Sequence, residues 1–217
     1  MEKKKWVFFR IREKKRGLCV KRYKYDLFTI CLVPGLTMIL ASFDSWTQSN
    51  LSVLGNRKGN EILFGIWGMG VGAYYWFYMD YLFHKAGYKG RAGRRWLASA
   101  AVFLASAVCL PYLPGRYPLL SAFHVLFAFF SPILVMVSLV CFLCFLSRRD
   151  VEGYRKAWVF LISASAAGLV LFAVTGFITS LLEVFVVLCL CGFLRYLEGR
   201  LEKEKAEEKA AANGLPS

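Results

Sequence analysis

Residues 157–194 carry a single charged side chain, Glu183, in an otherwise apolar run. A helix needs about 20 residues to cross a hydrocarbon core of about 30 Å, so a run of about 40 is two crossings. Thr175-Gly176 supplies the tight turn that divides it. Four further apolar stretches precede it. The reading is an all-α, polytopic membrane protein, a bundle of six transmembrane helices at 27–43, 62–83, 96–113, 118–146, 157–175 and 177–197. Residues 1–26 and 198–217 are then charged cytoplasmic tails. The stretch 198–211 is helix-forming and extends the sixth span. Pro132 can kink the long fourth span.

The basic residues orient the bundle. The chain has 28 Lys and Arg against 14 Asp and Glu, a net charge of +14. In a soluble protein that excess would point to nucleic acid. Here 25 of the 28 fall in the two tails and in the second and fourth loops, and only Arg57, Lys58 and Arg116 fall on the other side. Cytoplasmic loops carry the excess of Lys and Arg, so both termini are cytoplasmic and no nucleic-acid partner is expected. The first span is preceded by 26 mostly polar residues and followed by no small-x-small cleavage site, which reads as a retained anchor. Tyr74, Tyr75, Trp76, Tyr78 and Tyr81, with Trp96 and Trp158, read as an aromatic belt at the inner boundary.

Gly68-x-x-x-Gly72 and Ala164-x-x-x-Gly168 are small-residue surfaces that let helices approach closely, within one bundle or between copies. Cys141-x-x-Cys144 has a redox or metal spacing but sits in an apolar helix without a second pair, so no metal or cofactor is expected.

Ionisable groups at membrane depth are costly, roughly 2.5–3.5 kcal/mol on insertion scales. Asp80 lies near the inner boundary, within reach of Lys85 or the Arg94–Arg95 pair. His124 and Glu183 each lie six residues inside the outer end of a span, roughly 9 Å deep at 1.5 Å per residue. Ser121 and Thr179 sit one turn above them. Asp44, Ser52, Asn60 and Glu61 border the same face. Together these residues outline an outward polar pocket. It can be a structural His–Glu pair, a binding site for a lipid headgroup or small polar molecule, or a catalytic site. In the last case His124 is general base, Glu183 its orienter and Ser121 or Ser52 the nucleophile.

The first outer loop ends in Ser52-Val53-Leu54-Gly55, the fourth span opens with Ser121-Ala122-Phe123-His124, and the sixth carries Ser180-Leu181-Leu182-Glu183. In this order and topology the chain resembles the six-span Frag/DRAM/Sfk superfamily, and more so its bacterial relatives, a domain family of unknown function. The resemblance covers roughly residues 27–197. It implies a multi-pass protein of the bacterial plasma membrane, with a lipid-associated binding or regulatory role. It carries His124, Glu183, Ser52, Leu54 and Gly55 over as family positions. Val184 departs from the aromatic that follows the sixth-span Glu in eukaryotic members.

The N-terminal tail interleaves Lys and Arg with Trp6, Phe8, Phe9, Tyr23 and Tyr25. Such a segment is attracted to anionic inner-leaflet lipid, at about 1 kcal/mol per basic residue. Three functions are carried forward: a lipid-associated binding protein, a membrane hydrolase or transferase acting on a headgroup, and a partner subunit that docks on its own copy or on another membrane protein.

Overall fold

The computed structural model describes residues 23–57 and 59–212. The tail assigned to anionic lipid therefore lies outside the described residues up to position 22, as do Cys19 and Lys58. Every regular element among the described residues is helical. Helix α1 combines Tyr23–Asp26, a π-helical stretch Leu27–Leu32 and Val33–Ala41. The others are α2 (Leu51–Gly55), α3 (Glu61–Lys85), α4 (Arg91–Cys109), α5 (Pro118–Ser147), α6 (Val151–Thr175) and α7 (Ser180–Ala212).

Helices α5, α6 and α7 are long and apolar enough to cross a membrane, and Leu27–Ala41 is a shorter apolar helix. Two others are held back by composition. Helix α3 carries four tyrosines and Asp80, and α4 opens with Arg91, Arg94 and Arg95.

The boundaries follow local chemistry. Helix α4 stops at Cys109, short of the expected 113, because Pro111 and Pro114 cannot continue it. It begins at Arg91, since basic residues extend a helix into water as readily as apolar ones extend it into lipid. Asp150 starts α6 by accepting from the Gly153 N–H at 2.8 Å. Gly176, at φ +72°, closes α6 in the left-handed region that an L side chain avoids. Helix α7 starts at Ser180, three residues later than expected, because the Thr179 hydroxyl oxygen accepts from the Leu182 N–H. It then continues unbroken through the mixed-charge stretch to Ala212.

Cross-helix contacts show that neighbours alternate in direction. Thr29 meets Tyr74 and Thr37 meets Trp67, so α1 and α3 are antiparallel. Between α4 and α5, the Ser138 and Ser131 hydroxyls donate to the carbonyls of Gly93 and Ala100, and Phe103 packs on Phe127. Between α6 and α7, Tyr154 bonds Glu204 while Phe160 stacks on Phe193. Helices α3 and α7 run parallel, Tyr75 donating to the Val187 carbonyl and Lys85 to Glu202. The alternation gathers residues 42–60, 110–117 and 176–179 at one end, and 86–90, 148–150 and the start of α1 at the other.

The small-residue surfaces take different roles. A side chain at Gly68 would overlap Val108, and one at Gly72 would press on Leu104, so this stripe is where α4 docks on α3. Gly168 makes only ordinary contact with Phe185 and Leu182, and Ala164 is half-buried. Helix α6 leaves Ile162, Leu169, Val170 and Val174 more than 60% exposed, as a lipid-facing helix does.

The aromatic residues correct one expectation. Tyr74, Tyr75 and Tyr78 are buried inside the bundle rather than arranged as a belt. Tyr25 stacks on Tyr78 with centroids 5.2 Å apart, so its ring belongs to this cluster and not to a lipid-seeking tail.

Candidate functional site

At the end formed by residues 42–60, 110–117 and 176–179, buried polar groups meet backbone. A helix leaves its first N–H groups without intrahelical partners. In α7 these are taken by the neighbouring loop: the Ser180 N–H donates to the Ser49 carbonyl at 2.7 Å and the Leu181 N–H to the Trp46 carbonyl at 2.9 Å. The return connection is Glu183, whose Oε2 accepts from the Leu51 N–H at 2.7 Å. Leu51 opens α2, and Asn50 caps the same helix through Val53 N–H at 2.8 Å. A carboxylate is well placed there, because it satisfies an orphan donor and faces the positive end of the peptide dipoles. So α7 and the first loop cap each other.

His124 belongs to a second network. It is 1% exposed. Its Nδ1 lies 2.9 Å from the Leu110 carbonyl. A carbonyl only accepts, so Nδ1 carries a proton there, and in the tautomer with that single ring proton Nε2 is an acceptor. That Nε2 is buried and has no hydrogen-bond partner among the described residues. The ring lies between Tyr112 and Phe64, with centroids 5.5 and 6.5 Å away. Ser121, 3% exposed, accepts from the Leu113 N–H at 2.9 Å, and Asn56 accepts from the Tyr112 N–H at 3.0 Å. Tyr112 and Ser121 also line a surface groove of about 470 Å³, with Pro118, Val125, Leu126 and Phe129.

The expected partnership of His124 with Glu183 is replaced by these two networks. No hydrogen bond or ion pair joins them among the described residues; each meets backbone instead, His124 the Leu110 carbonyl in the loop before its own helix and Glu183 the Leu51 N–H at the start of α2. Thr179 serves as the cap of α7 rather than as a ligand of Glu183. The Ser52 carbonyl accepts from the Asn56 side chain, Asn60 donates to the Leu54 carbonyl, and Glu61 accepts from Gly59 N–H. Asp44 pairs with Arg57. The Ser45 N–H, and then Arg57, hold the Asp44 carboxyl below the usual carboxylate range. Neither Ser121 nor Ser52 is hydrogen-bonded to His124, so no nucleophile–base pair is assembled among the described residues. No group of three or more His, Cys, Asp and Glu is placed to hold a metal ion among the described residues.

The opposite end is built from ion pairs that the sequence reading left in the tails. Glu198, 7% exposed, accepts from Tyr78 at 2.5 Å and lies 3.5 Å from Lys85 and 3.4 Å from Arg195. Arg195 reaches Asp26 at 2.7 Å, and Lys85 reaches Glu202 at 3.1 Å. Asp80 pairs with Arg94 at 3.0 Å and with His84 at 3.2 Å rather than with Lys85. Asp150 pairs with Arg200 at 2.7 Å, and the Gly153 N–H together with that guanidinium holds its carboxyl below the usual range. The tyrosines spaced three and four apart on α3 were the available signal for this cluster. They place hydroxyls on the face that meets Glu198.

Three comparisons bear on what this chain is similar to: no family model, no curated protein and no solved structure matches it.

Proposed function

We propose that the chain is a lipid-associated binding protein of the bacterial plasma membrane that crosses it six times with both termini cytoplasmic. The alternation of the helices, the three long apolar ones and the basic residues gathered at one end support this topology. Its outward end takes an amphiphile whose chain lies in the groove of Tyr112, Ser121, Val125 and Phe129, and whose hydroxyl or amine reaches the His124 Nε2 once the Tyr112 ring, which lies at the groove and 5.5 Å from the imidazole, moves aside. The observation that carries the reading is the unpartnered Nε2 of a histidine that is 1% exposed. A buried polar atom without a partner costs about 1–3 kcal/mol, and a donor arriving from a ligand recovers it.

The geometry favours binding over hydrolysis, because Ser121 is occupied by the Leu113 N–H and no activated nucleophile faces the ring. The test is lipid mass spectrometry on purified wild type and His124→Asn. The shorter amide keeps a donor for the Leu110 carbonyl and lacks an atom at the Nε2 position. The expected result is loss of a co-purifying lipid with an unchanged melting curve. An identical lipid profile in the two proteins would contradict the reading.

A further inference from the structure

The second groove lies at the other end, between the start of α6 and the point where α7 passes from apolar to charged sequence. It measures about 710 Å³ and is lined by Glu152 and Lys156 from α6 and by Gly192, Gly199, Arg200 and Lys203 from α7. On α7, positions 192, 196, 199 and 203 follow the four-three-four spacing of one helix face. Gly192 and Gly199 open it: a side-chain carbon at either would meet nothing within 4 Å, so the space over them belongs to the groove.

The cations around this space are unequally engaged. Arg195 is shared between Asp26 and Glu198. Arg200 gives Nη2 to Asp150 at 2.7 Å, yet its Nε–H is buried without a partner. Among the described residues Lys203 pairs with the exposed Glu207, at 3.6 Å. Lys156 is exposed and makes no ion pair among the described residues. Glu152 is the one carboxylate in the lining. Above the groove, Val159, Ile162 and Leu188 expose apolar side chains to the lipid side. An oxyanion at this height would meet the Arg200 Nε–H and the Lys156 ammonium, while acyl chains run along α6.

We propose that this groove binds the phosphate group of an anionic phospholipid of the cytoplasmic leaflet, with Lys156 and Arg200 as its principal donors. Basic pockets between transmembrane helices on the cytoplasmic side suit such headgroups. The inference rests on the topology proposed above but is independent of the His124 site.

The test uses the full chain in nanodiscs of phosphatidylcholine with and without phosphatidylglycerol, reading the retained lipid by native mass spectrometry. Lys156→Ala removes an unpaired exposed charge, and Gly199→Leu fills the groove without changing charge. Lys156→Ala is expected to lower retained phosphatidylglycerol about fivefold, the factor one basic side chain is worth near an anionic surface, and Gly199→Leu is expected to lower it by closing the space. His124→Asn is expected to leave it unchanged. Equal phosphatidylglycerol retention in wild type and both variants would overturn the proposal. Displacement by millimolar inorganic phosphate as effective as by lipid would overturn the lipid source and leave a soluble-anion site. Impermeant labelling that put Lys89 and Arg116 on the same side would instead break the topology, whatever the lipid result.

Discussion

The two ends of this bundle satisfy buried charge in different ways. At the end formed by the first, third and fifth loops, Glu183 and His124 each bond to a backbone group of a loop, so the polar side chains serve to hold the chain's turns. At the end formed by the tails and the second and fourth loops, carboxylates and cations bond to each other in a chain running Asp26, Arg195, Glu198, Lys85, Glu202. The difference follows from supply. The first end has few charges and long loops whose N–H groups need partners. The second has many charges on helices that overrun the apolar layer, where side chains find each other before they find free backbone. One end is thus fixed by caps, which are local, and the other by a network, in which removing one member takes a partner from several others.

The largest effect is expected at Glu198. Replacing it with Ala takes one carboxylate from Lys85 and one from Arg195, which keep Glu202 and Asp26, and removes the acceptor of Tyr78, at a cost of about 3 kcal/mol. A denaturation series in mixed micelles reads this as an early transition, and Glu198→Gln, which keeps a hydrogen-bond acceptor, should recover part of it. Glu183→Ala should cost less, about 2 kcal/mol, because it leaves the buried Leu51 N–H without an acceptor. Its signature is local: faster hydrogen exchange at residues 51–55 with α3 and α7 unchanged. Uniform loss of protection across the bundle would mean that the cap is not local after all.

Gly153→Ala probes the network from the backbone side. Its methyl group would overlap both the Asp150 carboxylate and the Arg200 guanidinium, forcing that pair apart. The pair is partly exposed, so the expected loss is about 1 kcal/mol, read as a small drop in melting temperature.

The smallest effect is in pH. The folded-state pKa of Asp150 lies below its ordinary value of 3.8, as does that of Asp44. A depressed carboxylate contributes stability that is complete above the unfolded-state pKa and is lost as pH falls through the lower folded value. Melting temperature should therefore be insensitive to these two groups above about pH 5 and fall below about pH 4. Asp150→Asn should flatten that acid limb and lower the neutral plateau, because the stability the ionised group contributes at neutral pH is lost with it.

The helices were legible because apolar runs of about 20 residues have no alternative in lipid, where every backbone group needs an internal partner. The turn at Gly176 and the stripe at Gly68 and Gly72 were legible for a related reason: only a residue without a side chain fits there. What escaped the sequence is pairing at a distance. Nothing in the spacing of Glu183 says that Leu51, 132 residues away, presents the donor it meets. Depth alone made His124 and Glu183 look like partners, but depth does not say which way a helix face points. Glu198 was assigned to a solvated tail because charge was dense around it. In the fold it lies one helical face away from the tyrosines of α3, and burial there is made possible by Lys85 and Arg195.

The contrast between the ends has meaning only if a bilayer separates them, and site-directed labelling measures that directly. Single cysteines would replace Thr47 and Arg116 at one end and Lys89 and Arg148 at the other, all exposed positions, with the wild type as background. An impermeant maleimide added to intact cells should label positions 47 and 116 at once, and positions 89 and 148 only after permeabilisation. Labelling of 47 and 116 from opposite sides, or of 89 from outside, would contradict the six-crossing account.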